Sequence, residues 1–372
     1  MENYVIIERH WTSILIIQKL LLEIEALLKR KENILEQLRR SRNENIQNPN
    51  VGEIFRPVGR LYFRTNEEEL SLTYETRINE QESEVKELHS NKEKLLLKIG
   101  NYISDLNGMM EFDPLYCLKR AISRRVNFES RFGLADLQHR EWLVHNTPTP
   151  ALLQHGPTCG MVALVVAART RGLDLTVDQV LEAGRRLGVT SRGEMFSAEW
   201  MASLAREVMP GVEVRLEDAS MMEDTPSLLG RLLAGGLVLV PYDCAATSAV
   251  CLAGGERAHW GVVTGLILPC PGRHAHTLSQ HTEGTLGGLS SYHLVTQGLL
   301  EDEETLSRVE EDKVQLVVRQ SKSLELEIYD RTKLLESCAN LQSISSKRLD
   351  GSYVIPENSI KEVLSNKIVL IN

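Results

Sequence analysis

Cys159 stands just after a Gly156-Pro157 break and just before an apolar run, Met161 to Ala168. Pro157 presets φ for the start of a helix, where its missing N–H costs nothing. The spacing therefore puts the thiol at or just inside a helix N-terminus. There the unpaired N–H groups and the helix dipole favour an anion. A thiol so placed ionises more readily, and the thiolate is the nucleophilic form. Gln154, on the preceding loop, can turn its side-chain amide back to the same point. A nucleophile at a helix start with an amide donor ahead of it is the layout of a cysteine hydrolase. The plainer reading is that a lone cysteine beside an apolar helix is a small buried hydrophobe. A histidine in the right place separates the two.

His259 supplies that candidate. Ala258-His259-Trp260 leads into Gly261 to Leu268, a run that reads as a buried strand. A histidine at a strand mouth can be purely structural, but it is also where a general base could meet the thiol. Leu324 to Asp330 alternates apolar and polar residues like a half-buried strand. Asp330 at its end is either a turn residue or a third group holding the His259 imidazole in one tautomer. The chemistry is acyl transfer: His259 deprotonates Cys159, while Gln154 and the Cys159 N–H hold the oxyanion. It needs no metal and no cofactor. Cys270, His274, His276 and His281 are irregularly spaced and lack a second cysteine pair, so they do not read as a zinc site.

The whole chain narrows the class. Its 372 residues suggest two or three domains. A net charge of −9 argues against a general nucleic-acid binder. No apolar run is long enough for a membrane helix, and no signal peptide is recognisable. Six scattered cysteines are not a disulfide framework in a chain of this length. A reduced, cytoplasmic protein follows, in which a reactive thiol persists.

Three segments are expected: 1–110, 111–150 and 151–372. In the first, Ile17, Leu20, Ile24, Leu27, Lys31, Ile34 and Leu38 step by three and four, as do Ile78, Gln81, Val85, Leu88, Lys92, Leu95, Ile99, Tyr102 and Leu106. Ile54 to Arg64 between them reads as a β-hairpin. The expectation is an antiparallel coiled-coil hairpin. Residues 111–150 read as a linker, with Pro148 and Pro150 extending the chain toward the site. From 151 the chain reads as α+β. Helices are expected at Val177–Leu187, Ala198–Met209 and Pro226–Ala234. Strands are expected at Val212–Leu216, Leu237–Val240, Val314–Val318 and Leu324–Asp330. Tyr353–Pro356 and Lys367–Ile371 are expected to close the sheet. Residues 269–312 read as a mobile insertion.

Two resemblances follow from these residues. Val58-Gly59-Arg60-Leu61-Tyr62-Phe63 between long helices resembles a β-type prefoldin subunit over about residues 10–110. It implies assembly with prefoldin-type subunits and a chaperone role. The order Gln154, Cys159, His259, Asp330 is similar to the papain-like cysteine peptidases. Gln154 to Gly160, Gly193-Glu194-Met195-Phe196-Ser197, Pro241-Tyr242-Asp243, Ala258-His259-Trp260 and Gln320-Ser321-Lys322-Ser323 resemble the actin maturation proteases. That resemblance implies removal of an N-terminally acetylated Cys or Met from immature actin. It makes Cys159 the nucleophile, His259 the base and Gln154 the oxyanion donor. The acetylated residue implies an apolar pocket, for which Met195, Phe196 and Trp260 are candidates. The acidic residues behind it would want a cation, with Arg192 and Arg257 the candidates near the site. The chain departs from the vertebrate pattern in lacking a proline-rich N-terminal stretch, so profilin recruitment is not carried over. The alternative is a non-catalytic, prefoldin-like actin-binding chaperone.

Overall fold

The computed structural model describes residues 2–46, 54–58, 61–65, 67–110, 115–131, 141–270, 292–295, 298 and 303–372. The chain divides into two compact units, Met1–Met109 and Met110–Asn372.

The first unit consists of helix α1 (Glu2–Ile46), strands β1 (Ile54–Val58) and β2 (Leu61–Thr65), and helix α2 (Glu67–Met110). The two strands pair antiparallel, from Ile54 opposite Thr65 to Val58 opposite Leu61. Ion pairs join Glu25 to Lys92, Lys31 to Glu84, Arg39 to Glu82 and Arg42 to Glu75. Numbers rise along α1 as they fall along α2, so the helices run antiparallel. The sheltered face of α1 keeps five of the seven expected positions, Ile17, Ile24, Lys31, Ile34 and Leu38. Ile17, Leu28 and Leu35 are buried, with Leu21, Ile24, Lys31 and Leu38 partly so, whereas Leu20 and Leu27 are more than 40% exposed. Both stripes step by three and four. The two rows share Ile17, Ile24, Lys31 and Leu38, and packing against α2 selects Leu21 and Leu28 over Leu20 and Leu27.

The second unit contains α3 (Tyr116–Arg131), β3 (Glu141–Asn146), α4 (Cys159–Thr170), α5 (Val177–Arg186), α6 (Ala198–Val208), β4 (Val214–Asp218), α7 (Thr225–Leu233), β5 (Leu237–Cys244), β6 (Val250–Cys251), β7 (Ala258–Cys270), β8 (Tyr292–Leu294), α8 (Glu303–Ser307), β9 (Gln315–Gln320), β10 (Leu326–Asp330), α9 (Arg331–Ala339), α10 (Ile360–Val363) and β11 (Lys367–Ile371). The sheet runs β10-β9-β7-β5-β11-β4, each neighbour antiparallel, with β3 and β6 pairing alongside β7 and β5. Both faces are covered, and side chains alternate between them. Leu237, Leu239, Trp260 and Val262 pack with α4, α5 and α6. Val238, Val240, Tyr242 and Val263 pack with α7 and α9. Hence β5 is buried throughout and lacks a polar face.

Several expectations shift. Residues 111–150 are not simply a linker. Helix α3 buries Tyr116, Leu118, Ala121 and Ile122, and its Arg120 pairs with Glu325 at 2.7 Å. Strand β3 pairs with β7 from Glu141–Cys270 to Asn146–Gly265. Strand β5 continues through Pro241 to Cys244. The Asp243 N–H points away from β7 to Ser337 Oγ, so the Pro241 nitrogen, two residues earlier, faces the same side and breaks no β7 bond. Tyr353–Pro356 is not a strand, and β11 lies inside the sheet between β5 and β4. Residues 271–291 of the expected insertion lie outside the described residues, with His274, His276 and His281 among them. Within its remainder, β8 pairs parallel with β3. No helix among the described residues is long and apolar enough to cross a membrane.

Candidate active site

Helix α4 begins at Cys159, and its residues Gly160 to Ala168 are all buried. This explains the unbroken apolar run: a helix covered on every side has no polar face. Gly160 lets the helix start approach its surroundings. A Cβ there would lie 2.9 Å from Met195 Cβ and 3.0 Å from Met201 Cε. Gly193, at φ +107°, similarly passes against Thr158, the residue preceding α4.

Gln154 is fixed from both ends of its amide. Its Nε2 donates to the Gly156 carbonyl at 2.8 Å, and its Oε1 accepts from Ser321 Oγ at 2.8 Å. The Gln154 N–H also donates to the Ser321 carbonyl. An amide nitrogen carries two hydrogens, so one is left to point elsewhere.

His259 lies one residue inside the start of β7 and is 2% exposed. Its ring meets Tyr242 edge-on at 5.8 Å, across the β5–β7 pairing. Nε2 has no hydrogen-bond partner among the described residues. The imidazole pKa is held down at about 3. Burial is the main cause, the Lys322 charge adds to it, a side-chain hydrogen bond with Gln320 opposes it, and the Arg348 charge lowers it further. Burial also pushes the Cys159 thiol up. The Trp260 and Gly160 backbone groups and the Arg348 and Lys322 charges pull the other way. Burial thus works against the acidity expected of a thiol at a helix start. Both shifts favour the neutral forms, thiol and imidazole.

Cys159, His259 and Gln154 line one pocket of about 450 Å³. Met195, Phe196 and Trp260 line it too, each under 5% exposed. The Trp260 indole N–H donates to the Met195 carbonyl at 2.9 Å, which ties two of these walls together. Arg257 lines the pocket, while the Arg192 guanidinium lies over the ring of Tyr353, a lining residue.

Asp330 is elsewhere. It pairs with Gln315 at the far end of β9, five residues from Gln320, or roughly 17 Å along the strand. Its carboxylate caps α9, accepting from the Lys333 N–H at 3.0 Å. The group beside the imidazole is Gln320, the last residue of β9, paired opposite Gly261. Gln320 Oε1 accepts from the Lys322 N–H and its Nε2 donates to Ser248 Oγ. Strand-end position had offered Asp330 alone, and the β7–β9 register puts Gln320 near the imidazole instead.

Sequence reasoning also missed several supports. Asp243 is fully buried and accepts N–H donations from Ala253, Gly255 and Arg257, each at 2.9 Å. It thereby shapes the loop leading into His259. Glu194 accepts from the N–H groups of Ser191, Arg192 and Val354. Burial pushes its carboxyl up, but those donors more than offset this and hold it below the usual range. Lys322 and Arg348 also line the pocket. Gln320 and Lys322 belonged to a recognisable motif; nothing around Arg348 distinguished it from a solvated arginine. Among the described residues no cluster of His, Cys, Asp and Glu could hold a metal ion.

The comparisons bear on this geometry. The family model described as actin maturation protease-like, C-terminal domain, matches residues 149–267, which include Gln154, Cys159 and His259. An actin maturation protease of Xenopus tropicalis is 32% identical over 260 residues, 68% of this chain and 79% of the relative. One from Danio rerio is 30% identical over 66% of this chain and 78% of the relative. The human one is 28% identical over 62% of this chain and 66% of its own length. No solved structure matches. Taken with the residues matched, these relatives establish that the chain belongs to the actin maturation protease family.

Proposed function

We propose that this chain is a cysteine-type aminopeptidase that removes the N-terminally acetylated Cys or Met from immature actin, through a papain-like Cys–His site. The observation that carries this is the meeting of Cys159, at the start of α4, and His259, at the start of β7, in one pocket with the amide of Gln154. The relatives' name, actin maturation protease, supports actin as the substrate.

The mechanism follows from two neutral groups. His259 accepts the Cys159 proton as the thiolate attacks the carbonyl of the acetylated first residue. The developing oxyanion takes the Cys159 N–H and the second N–H of Gln154, donors worth roughly 10²–10³ in rate apiece. His259 then returns the proton to the departing amine of the shortened actin. Water attacks the thioester, releases the acetylated amino acid and restores the thiol. The walls formed by Met195, Phe196 and Trp260 suit an uncharged acetylated Met or Cys. Gln320 is the residue that orients the imidazole. No metal or cofactor enters.

The antiparallel ion pairs and the four-and-three spacing of sheltered residues on α1 support reading the first unit as a coiled-coil hairpin. Prefoldin-type subunits are its proposed partners.

The test is mass spectrometry of an acetyl-Met-Asp-Asp-Asp peptide and of purified folded actin, each incubated with the protein and with Cys159→Ala. Loss of the acetylated residue with the first protein alone is the expected result. Cleavage of neither substrate would leave a non-catalytic actin binder and overturn the peptidase reading.

A further inference from the structure

The pocket carries more positive charge than the acyl-transfer chemistry calls for. Lys322 and Arg348 enter it from different parts of the fold. Lys322 follows the turn after β9, and its Nζ donates to the Cys244 carbonyl at 2.9 Å and to Ala245 at 3.4 Å. Arg348 ends the short 3-10 helix Ser346–Arg348, and its guanidinium lies 5.5 Å from the centre of the Phe196 ring. Arg257 is a third cation on the lining. Among the described residues none of the three has a carboxylate within ion-pair distance. Of the two lining acids, Glu194 is occupied by three backbone N–H groups and Glu256 is exposed.

Two cations beside a general base are a cost to catalysis, since each disfavours protonation of His259. An anion bound between them would remove that cost. We infer that Lys322 and Arg348 are specificity-determining residues that bind acidic side chains on the leaving side of the scissile bond. This rests on the peptidase reading above and names what it selects. The uncharged acetylated residue packs on the apolar wall of Met195 and Trp260. The carboxylates that follow it neutralise Lys322 and Arg348. Because that neutralisation makes His259 a better base as the reaction starts, acidic residues raise kcat as well as lowering KM.

The experiment compares acetyl-Met-Asp-Asp-Asp and acetyl-Met-Asn-Asn-Asn peptides on the full chain, Lys322→Gln, Arg348→Gln and the double Lys322→Glu/Arg348→Glu variant. Wild type is expected to prefer the acidic peptide, and each single variant to lower that preference roughly fivefold. The double variant is expected to turn toward acetyl-Met-Lys-Lys-Lys. Equal kcat/KM of wild type for the acidic and amide peptides overturns the inference whatever the variants do. If wild type cuts no peptide, cleavage of folded actin decides the peptidase reading separately. Fluorescence anisotropy of the labelled peptides on Cys159→Ala protein then decides: tighter, salt-sensitive binding of the acidic one supports the inference, and equal binding refutes it.

Discussion

Burial and the Lys322 charge disfavour a protonated His259 imidazole, and the proposed chemistry needs that imidazole to take up a proton. Two predictions belong to this scale. The first separates Gln320 from Asp330. Gln320→Ala frees the imidazole to turn and is expected to lower kcat roughly a hundredfold with little change in KM. Asp330→Ala removes a helix cap, costs about 1 kcal/mol of stability, and leaves kcat alone. Peptide kinetics with urea unfolding read both, and the opposite pattern would return the orienting role to Asp330. The second concerns acid. The folded-state pKa of His259 is near 3 against an ordinary 6.5, so the unfolded chain takes up a proton that the folded one refuses. The stability contribution is complete above about 6.5 and is lost as pH falls toward 3. His259→Gln is expected to lack this part of the acid slope, as urea midpoints between pH 7 and 4 would show. Cys159, His259 and Gln154 were legible because turn chemistry, an apolar run and a strand mouth mark them locally. Gln320 was not, since its place near the imidazole comes from pairing with a strand distant in sequence.

Elements carry the site through their ends. The start of β7, the end of β9 and the start of α4 converge, and the loop 253–257 fixes the first of these. Asp243 holds that loop by three backbone N–H donors, in place of the ladder that an ordinary strand partner would supply. Asp243→Ala leaves those donors without their acceptor and is expected to cost about 3 kcal/mol. It should also reduce kcat, because His259 loses its mount. Thermal unfolding beside peptide kinetics tests this, and a variant as stable as wild type would refute the bracing role. Helices α5 and α6 were readable from their caps, Thr176 with Gln179 and Ser197, and α7 from its Gly235-Gly236 end. Strand β3 and helix α9 were not. β3 follows a stretch without clear periodicity, and α9 starts on the same Asp330 that the alternating pattern had marked as a strand end.

At the scale of the molecule, chemistry and helical hairpin divide at Met109–Met110. Every residue lining the pocket, and every strand of the large sheet, belongs to the second unit. The match to the family model falls wholly within it as well. The periodicity of α1 was legible, but the choice of Leu21 and Leu28 over Leu20 and Leu27 was not, because both pairs satisfy the spacing and only a packing partner chooses between them. If the second unit is self-sufficient in catalysis, a chain of residues 110–372 should cleave the acetylated acidic peptide with the kcat/KM of the full chain. A large loss on the peptide would place residues of the first unit in catalysis itself. Folded actin gives the more informative comparison. The exposed Leu20, Leu22 and Leu27 of α1 leave apolar surface on the hairpin that the short peptide is too small to need. A raised KM on folded actin, with kcat and peptide cleavage unchanged, would assign the hairpin to capture of the whole substrate. Identical kinetics on both would instead separate the hairpin from the reaction and leave assembly as its role.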